Sequence, residues 1–194
     1  GEKDVRYGRS NRMLTATVNY TTVGGLPSLI RLQVSFEEIL LYRPMESKAV
    51  GLMHGNPQRK LAVLASPAAE GYSTPVPLTV YDPREILAEK VRAILTRQAA
   101  KGRDILDLYL IREKLGLNVA DFTKEVVTKT RFAIEAASRY KEHLDKLDDR
   151  LEYLAEEDLR PFLIKPIDMT AFEAYRRELL PQLKALAGHL QTNR

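Results

Sequence analysis

The 194-residue chain has no cysteine and only three histidines, His54, His143 and His189. Without cysteine there is no disulfide framework, no thiolate-bound zinc, no thiol nucleophile and no iron–sulfur cluster. A chain of that kind suits a reducing compartment, so a cytoplasmic location is expected. The histidines are too scattered to build a metal site among themselves, and none is expected from them. Glycine and proline stand at ten each, which excludes collagen-like and linker-like compositions. No apolar run approaches the roughly 18 residues that span a bilayer, so no membrane partner is expected. No signal peptide is legible. The first residue is Gly1, not methionine, and is read as a cloning scar ahead of a segment cut from a longer protein.

What is present is globular: 44% hydrophobic and 29% charged residues. The length suits one medium domain or two small ones sharing a core. The net charge is +4, and its distribution says more than its sum. Residues 90–103 hold Lys90, Arg92, Arg97, Lys101 and Arg103 with no acid among them, a strip that suits phosphate or nucleic acid. Residues 145–158 are the reverse, seven acids against Lys146 and Arg150, the usual mark of a solvated helix face.

The first eighty residues read as strands. Leu14, Ala16, Val18 and Tyr20 alternate with polar residues, as do Ile30, Leu32, Val34 and Phe36. Period two predicts strands with one buried face, and Gly24-Gly25 and Pro27 between them predict a hairpin. Further strands are expected over 61–65 and 76–81, with loop over 46–59. At Asp82 the period changes. Asp82-Pro83-Arg84-Glu85 reads as a helix start: an acid at the N-cap, proline at N1, and a glutamate at N3 reaching back. Ile86, Leu87, Ile94 and Leu95 form the stripe of this helix, which is expected to end near Gln98.

A second helix is expected over 103–115, with Leu108, Ile111 and Leu115 inward and Gly116 stopping it. So short a connection makes a helix hairpin. A longer helical region follows from Asn118 or Asp121 to about Leu154, with Phe122, Val126, Phe132, Ile134, Leu144 and Leu147 inward. Thr170-Ala171-Phe172-Glu173 reads as a capping box for a last helix lined by Leu179, Leu180, Leu183, Leu186 and Leu190. The expected class is α+β: a small, mostly antiparallel sheet over 1–81, then a helical domain over 82–194.

One residue breaks the pattern. Lys90 lies four after Ile86 and four before Ile94, on the apolar face, and Arg97 shares that face two turns on. A buried ammonium without a partner is costly, so an anion should meet it: an aspartate, or a ligand phosphate. Asp104 and Asp107 are i,i+3 neighbours on the second helix, with Asp104 in the first turn, where the dipole favours an anion. The turn brings Asp104 beside Arg97. Lys90 is roughly 10 Å further along the axis, which argues against direct Lys90–Asp104 contact. The expected cluster is Lys90, Arg97, Arg103, Asp104 and Asp107. Such a network either pins a helix hairpin or marks a functional site.

The stretches Ile86-Leu87-Ala88-Glu89-Lys90, Ala93-Ile94-Leu95-Thr96-Arg97 and Arg103-Asp104-Ile105-Leu106-Asp107-Leu108-Tyr109 together resemble the signature of the AbiEii/AbiGii toxin family. Its members are nucleotidyltransferase-like bacterial proteins of the DNA polymerase β type fold, toxins of type IV toxin–antitoxin systems. The likeness is dense over 86–110 and looser elsewhere. It implies that residues 1–81 are the remainder of a nucleotidyltransferase core. It further implies nucleotidyl transfer from an NTP with Mg²⁺ to a macromolecular acceptor such as tRNA or another RNA, with an antitoxin as partner. Lys90 would contact nucleotide phosphate and Asp104 would support catalysis. Arg97, Arg103 and Asp107 would lie nearby as structural or substrate-contacting groups. Phosphoryl chemistry rests on positioning and charge neutralisation, which such groups supply.

The chain departs from the polymerase β pattern in one respect. No Gly-Ser dipeptide and no Asp-x-Asp or Asp-x-Glu pair occurs in it. Gln33 stands where a third acid would be useful, and Glu37 and Glu38 lie beyond the strand end. Two carboxylates are the minimum for a two-metal clamp. Either an N-terminal metal-binding piece is missing or this copy is not catalytic, and the 194 residues alone are expected to transfer nothing. The alternative function is a non-catalytic helical module that presents the basic strip to RNA or to a regulatory protein. Weaker candidates are His54 in a loop, Tyr140, Tyr153 and Tyr175 as base-stacking residues, and the leucines of the last helix as a docking face.

Overall fold

A computed structural model describes residues 5–9, 13–22, 24–50, 74–99, 101–156, 163 and 166–192, with backbone alone for residues 9 and 153–156. The chain divides into two units, Gly1–Leu40 and Leu41–Arg194. The fold is α+β, as expected.

The first unit is a three-stranded antiparallel sheet in the order β1 (Val5–Arg9), β2 (Met13–Thr21), β3 (Pro27–Ser35). The β2–β3 turn sits where the glycine pair predicted it. Gly25 takes φ +78°, which a side chain would resist, and Thr22 closes the loop by accepting from the Leu26 amide at 3.1 Å. The register pairs Leu14 with Val34, Ala16 with Leu32 and Val18 with Ile30, so these six share a face. That face was expected to be buried, and it is not: Ile30, Leu32 and Val34 are each at least 50% exposed. Period two decides which residues share a face. It does not supply a second layer to cover them.

The second unit opens with a two-stranded ladder of β4 (Met45–Ala49) and β5 (Val76–Val80), in which Met45 pairs with Val80 and Ala49 with Val76. Residues 46–49 were expected to be loop. Met45-Glu46-Ser47-Lys48-Ala49 has no alternation and is exposed throughout, so only its distant partner makes it a strand. The strand expected over 61–65 and the rest of the loop at 51–59 lie outside the described residues.

Among the described residues six helices follow: α1 (Pro83–Thr96), α2 (Gly102–Leu115), α3 (Thr123–Ala136), α4 (Arg139–Asp145), α5 (Leu147–Glu156) and α6 (Met169–Thr192), with a 3₁₀ turn at Val119–Phe122. The start of α1 is the one the sequence predicts, with Asp82 accepting from the Arg84 amide at 2.9 Å and Pro83 at the first position. Glu85 does not reach back as a capping box would; its carboxylate turns inward, as described below. α2 stops at Gly116 in the left-handed conformation, φ +67°.

α1 is the central element. Leu87, Ala88, Val91, Ala93, Ile94, Leu95 and Thr96 are all buried, wrapped by the other helices. Leu108, Val126, Leu144, Leu147, Leu179, Leu183, Leu186 and Leu190 complete the core, while Ile86, Ile111, Phe122, Ile134 and Leu180 are only partly buried. Two expected core residues are exposed instead: Leu115 (52%), which shares the face of Leu108 but is the last residue of α2, and Phe132 (36%), which lies off the side of α3 that carries Val126, Lys129 and Ala133. The helix expected from 118 or 121 to about 154 is three helices, interrupted after Ala136 and Asp145. Their apolar residues keep one period because all three pack on the same core. The cap of α6 is Asp168, whose carboxylate accepts from the Thr170 and Ala171 amides at 2.9 and 3.0 Å; Thr170 lies inside the helix. Among the described residues no helix is long and apolar enough to cross a membrane.

Candidate functional site at the seam of α1 and α2

Lys90 and Arg97 project from α1 toward α2, and Asp104 and Asp107 meet them. Lys90 Nζ lies 3.0 Å from Asp104 Oδ1 and 2.5 Å from Asp107 Oδ2; Arg97 Nη1 lies 2.8 Å from Asp104 Oδ2. The direct Lys90–Asp104 contact overturns the axial argument against it. That argument measured backbone offset and left out the reach of the flexible four-carbon lysine stem. Arg97 is the residue after α1 and is extended, so its side chain leaves the helix end and closes on Asp104 from the other side. One carboxylate therefore bridges two cations, an oxygen for each.

Exposure grades the cluster: Asp104 is 1% exposed, Lys90 28%, Arg97 41% and Asp107 43%. Burial alone would discourage the Lys90 ammonium, but hydrogen bonds to Asp107 and Asp104 outweigh it and lift Lys90 above the ordinary lysine range. Arg103, expected in this cluster, is exposed and joins none of its ion pairs. It precedes Asp104 directly, and adjacent helix positions diverge by about 100°.

α1 carries a second ionic face that the sequence reading missed. The carboxylate of Glu85, 1% exposed, pairs with the Lys129 ammonium of α3, 2% exposed, and accepts from the backbone amides of Leu41 and Tyr42 at 2.8 and 2.9 Å. Glu89, 3.8 Å from Lys129, also pairs with Arg92, which donates to Thr96 Oγ1 at 3.0 Å. The signal was available. Lys129 lies three after Val126 and four before Ala133, the same apolar-face placement that singled out Lys90. Arg150, three after Leu147 and four before Leu154, was likewise hidden in a run read as solvated.

The Mg²⁺ that the resemblance implies does not fit the described residues. Among them no group of three His, Cys, Asp or Glu side chains is placed to hold a metal ion. Asp104 spends both oxygens on Lys90 and Arg97. His54 lies outside the described residues, as does the Tyr153 side chain. Tyr175 is buried against Tyr109, ring centroids 5.7 Å apart, and burial pushes its hydroxyl up; it is a core residue and not a base platform. Tyr140 lies beside His143 at 6.2 Å. The leucines of α6 pack inward. A cavity of about 170 Å³ between the 3₁₀ turn and α6, lined by Val119, Thr123, Leu186 and His189 among others, contains none of the seam residues.

No curated protein and no solved structure matches the chain. A family does: nucleotidyl transferase AbiEii toxin, type IV TA system, over residues 2–189. Matched through the sheet, the α1–α2 seam and most of α6, the chain belongs to the AbiEii nucleotidyl transferase toxin family of type IV toxin–antitoxin systems.

Proposed function

We propose that the protein takes part in transfer of a nucleotide from an NTP to a macromolecular acceptor such as tRNA or another RNA, acting as a cytoplasmic toxin countered by an antitoxin. Residues 1–81 are read as the remainder of the nucleotidyltransferase core and 82–194 as its helical domain. The observation that carries this reading is Lys90: an ammonium held charged by two carboxylates and still 28% exposed. Lys90 contacts a phosphate of the nucleotide. Buried Asp104 orients it and, through Arg97, fixes a second cation beside it. Asp107, the more exposed partner, is the one that an incoming phosphate displaces; Arg103 lies outside the pairs, open to substrate. Because the cations and carboxylates of the seam balance in charge, an added phosphate is accommodated only by such an exchange.

Lys90→Ala in the complete gene product is expected to abolish nucleotide transfer and toxicity while the melting temperature stays within a few degrees. A lowered melting temperature with transfer intact would make the seam a purely structural clamp. The second reading, a non-catalytic helical module that binds RNA or a regulatory protein, draws support from exposed Lys101 and Arg103 and from the lack of a three-ligand acidic group among the described residues. It predicts RNA affinity that falls steeply with salt and is weakened by Lys101→Ala, with no transfer in any variant.

A further inference from the structure

The C-terminal end of α1 carries none of the usual stops. It has no glycine after it and no basic residue in its last turn, and it ends among buried residues, Ile94, Leu95 and Thr96 at 0% exposure. The last carbonyls of a helix lack partners within it and must find them elsewhere when buried. The Arg97 amide serves Ala93 O at 3.0 Å. Arg150 of α5 donates to Ile94 O at 3.1 Å, to Leu95 O at 2.9 Å and to the Arg97 carbonyl. His143 Nδ1 lies 2.7 Å from Thr96 O, a contact that requires the proton on that nitrogen. Every carbonyl from 93 to 97 is thus accounted for, three of them by one guanidinium.

Among the described residues Arg150 has no carboxylate partner. Its remaining hydrogen bond goes to the His143 carbonyl at 2.7 Å, and its Nε is buried without an acceptor. Partly burying a guanidinium against carbonyl dipoles is a costly way to end a helix, since a glycine does the same at little cost. What a glycine could not do is fix the residue at the turn. That residue is Arg97, whose backbone oxygen is held by Arg150 and whose side chain holds Asp104.

We propose that Arg150 is a positioning residue for the α1–α2 seam: by clamping the last turn of α1 it sets the place from which Arg97 reaches Asp104, and so the geometry of the Lys90 ammonium. The chain of contact runs from Arg150 to the Arg97 backbone, from the Arg97 side chain to Asp104, and from Asp104 to Lys90. As a nucleotide-site device this rests on the function proposed above; as a mechanical link it stands separately.

The test compares the native complete gene product with Arg97→Ala, Arg150→Met, their double variant, Lys90→Ala and Arg150→Lys. ATP is the probe, read by titration, and thermal melting is followed in parallel. Arg97→Ala and Arg150→Met are each expected to weaken ATP binding about fivefold, with the double variant within about twofold of the weaker single one, as for residues acting in one chain. Arg150→Lys, with a cation that still reaches part of the carbonyl set, is expected to recover much of the loss. If Arg150→Met does not fold, Arg150→Lys against Arg97→Ala carries the same comparison. Losses that multiply overturn the proposal, as does an Arg150→Met protein that melts lower yet binds ATP like the native one. If Lys90→Ala and Arg97→Ala both bind ATP normally, the nucleotide reading fails by itself. The melting cycle then decides the link: non-additive shifts uphold it, additive ones overturn it.

Discussion

Replacing Lys129 by methionine gives the sharpest test of how this helical unit is held together. Lys129 and Glu85 are 2% and 1% exposed, so the pair is almost fully desolvated. Methionine fills similar space but leaves the Glu85 carboxylate facing apolar surroundings, with only the Leu41 and Tyr42 amides to balance it. Orphaning one partner of a buried pair costs about 3–5 kcal/mol. Two retained amide donors, each worth about 1.5–3 kcal/mol to a charged acceptor, place the expected loss near the lower end, about 3 kcal/mol. For a unit of this size that is a fall of about 6–12 °C in melting temperature.

Glu85→Gln is the complementary change. It keeps an acceptor for the two amides but removes the carboxylate that faces the ammonium, while Glu89 stays at 3.8 Å. The double variant Glu85→Gln/Lys129→Met removes both charges together. It should lose clearly less than the two single losses added, with a coupling of about 1.5 kcal/mol or more. Urea unfolding followed by helical circular dichroism measures all four proteins. A Lys129→Met loss below about 1 kcal/mol, or single losses that add within about 0.5 kcal/mol, would refute the claim that this pair staples residues 41–42 and α3 to α1.

Two further outcomes follow from the geometry. Gly116→Ala is expected to cost about 1 kcal/mol by denaturant titration; nothing lies within 4 Å of the added carbon, so the loss is the conformational one of forcing a side chain to φ +67°. Lys90 is raised in the folded state by its two aspartates, so its contribution is complete below the unfolded lysine value of about 10.4 and is lost as pH rises through the folded one; stability measured from pH 9 to 12 should fall more steeply in the native protein than in Lys90→Met.

Much of the local structure was legible because it is set by neighbours in the chain. Gly24-Gly25 turns the hairpin, Asp82-Pro83 starts α1 and Gly116 ends α2, each through backbone preferences that need no distant partner. The same periodicity placed Lys90 on the inward side of α1, and the short turn after that helix put Asp104 beside Arg97. Period alone could not say how far a lysine stem extends, so the contact argued against is the one that forms.

Spacing along the chain does not say where a side chain looks when it leaves its own helix. Glu85 has the spacing of a capping residue, yet it turns to Lys129, forty-four residues on, and to the amides of Leu41 and Tyr42. Arg150 stands in an acidic run and ends a helix that closes more than fifty residues before it. β4 is a strand only by virtue of β5. Spacing along the chain determines faces and ends; which face meets which, and what a buried charge must then find, is decided when α1 is enclosed and each polar group taken from water has to be answered by whatever packs against it.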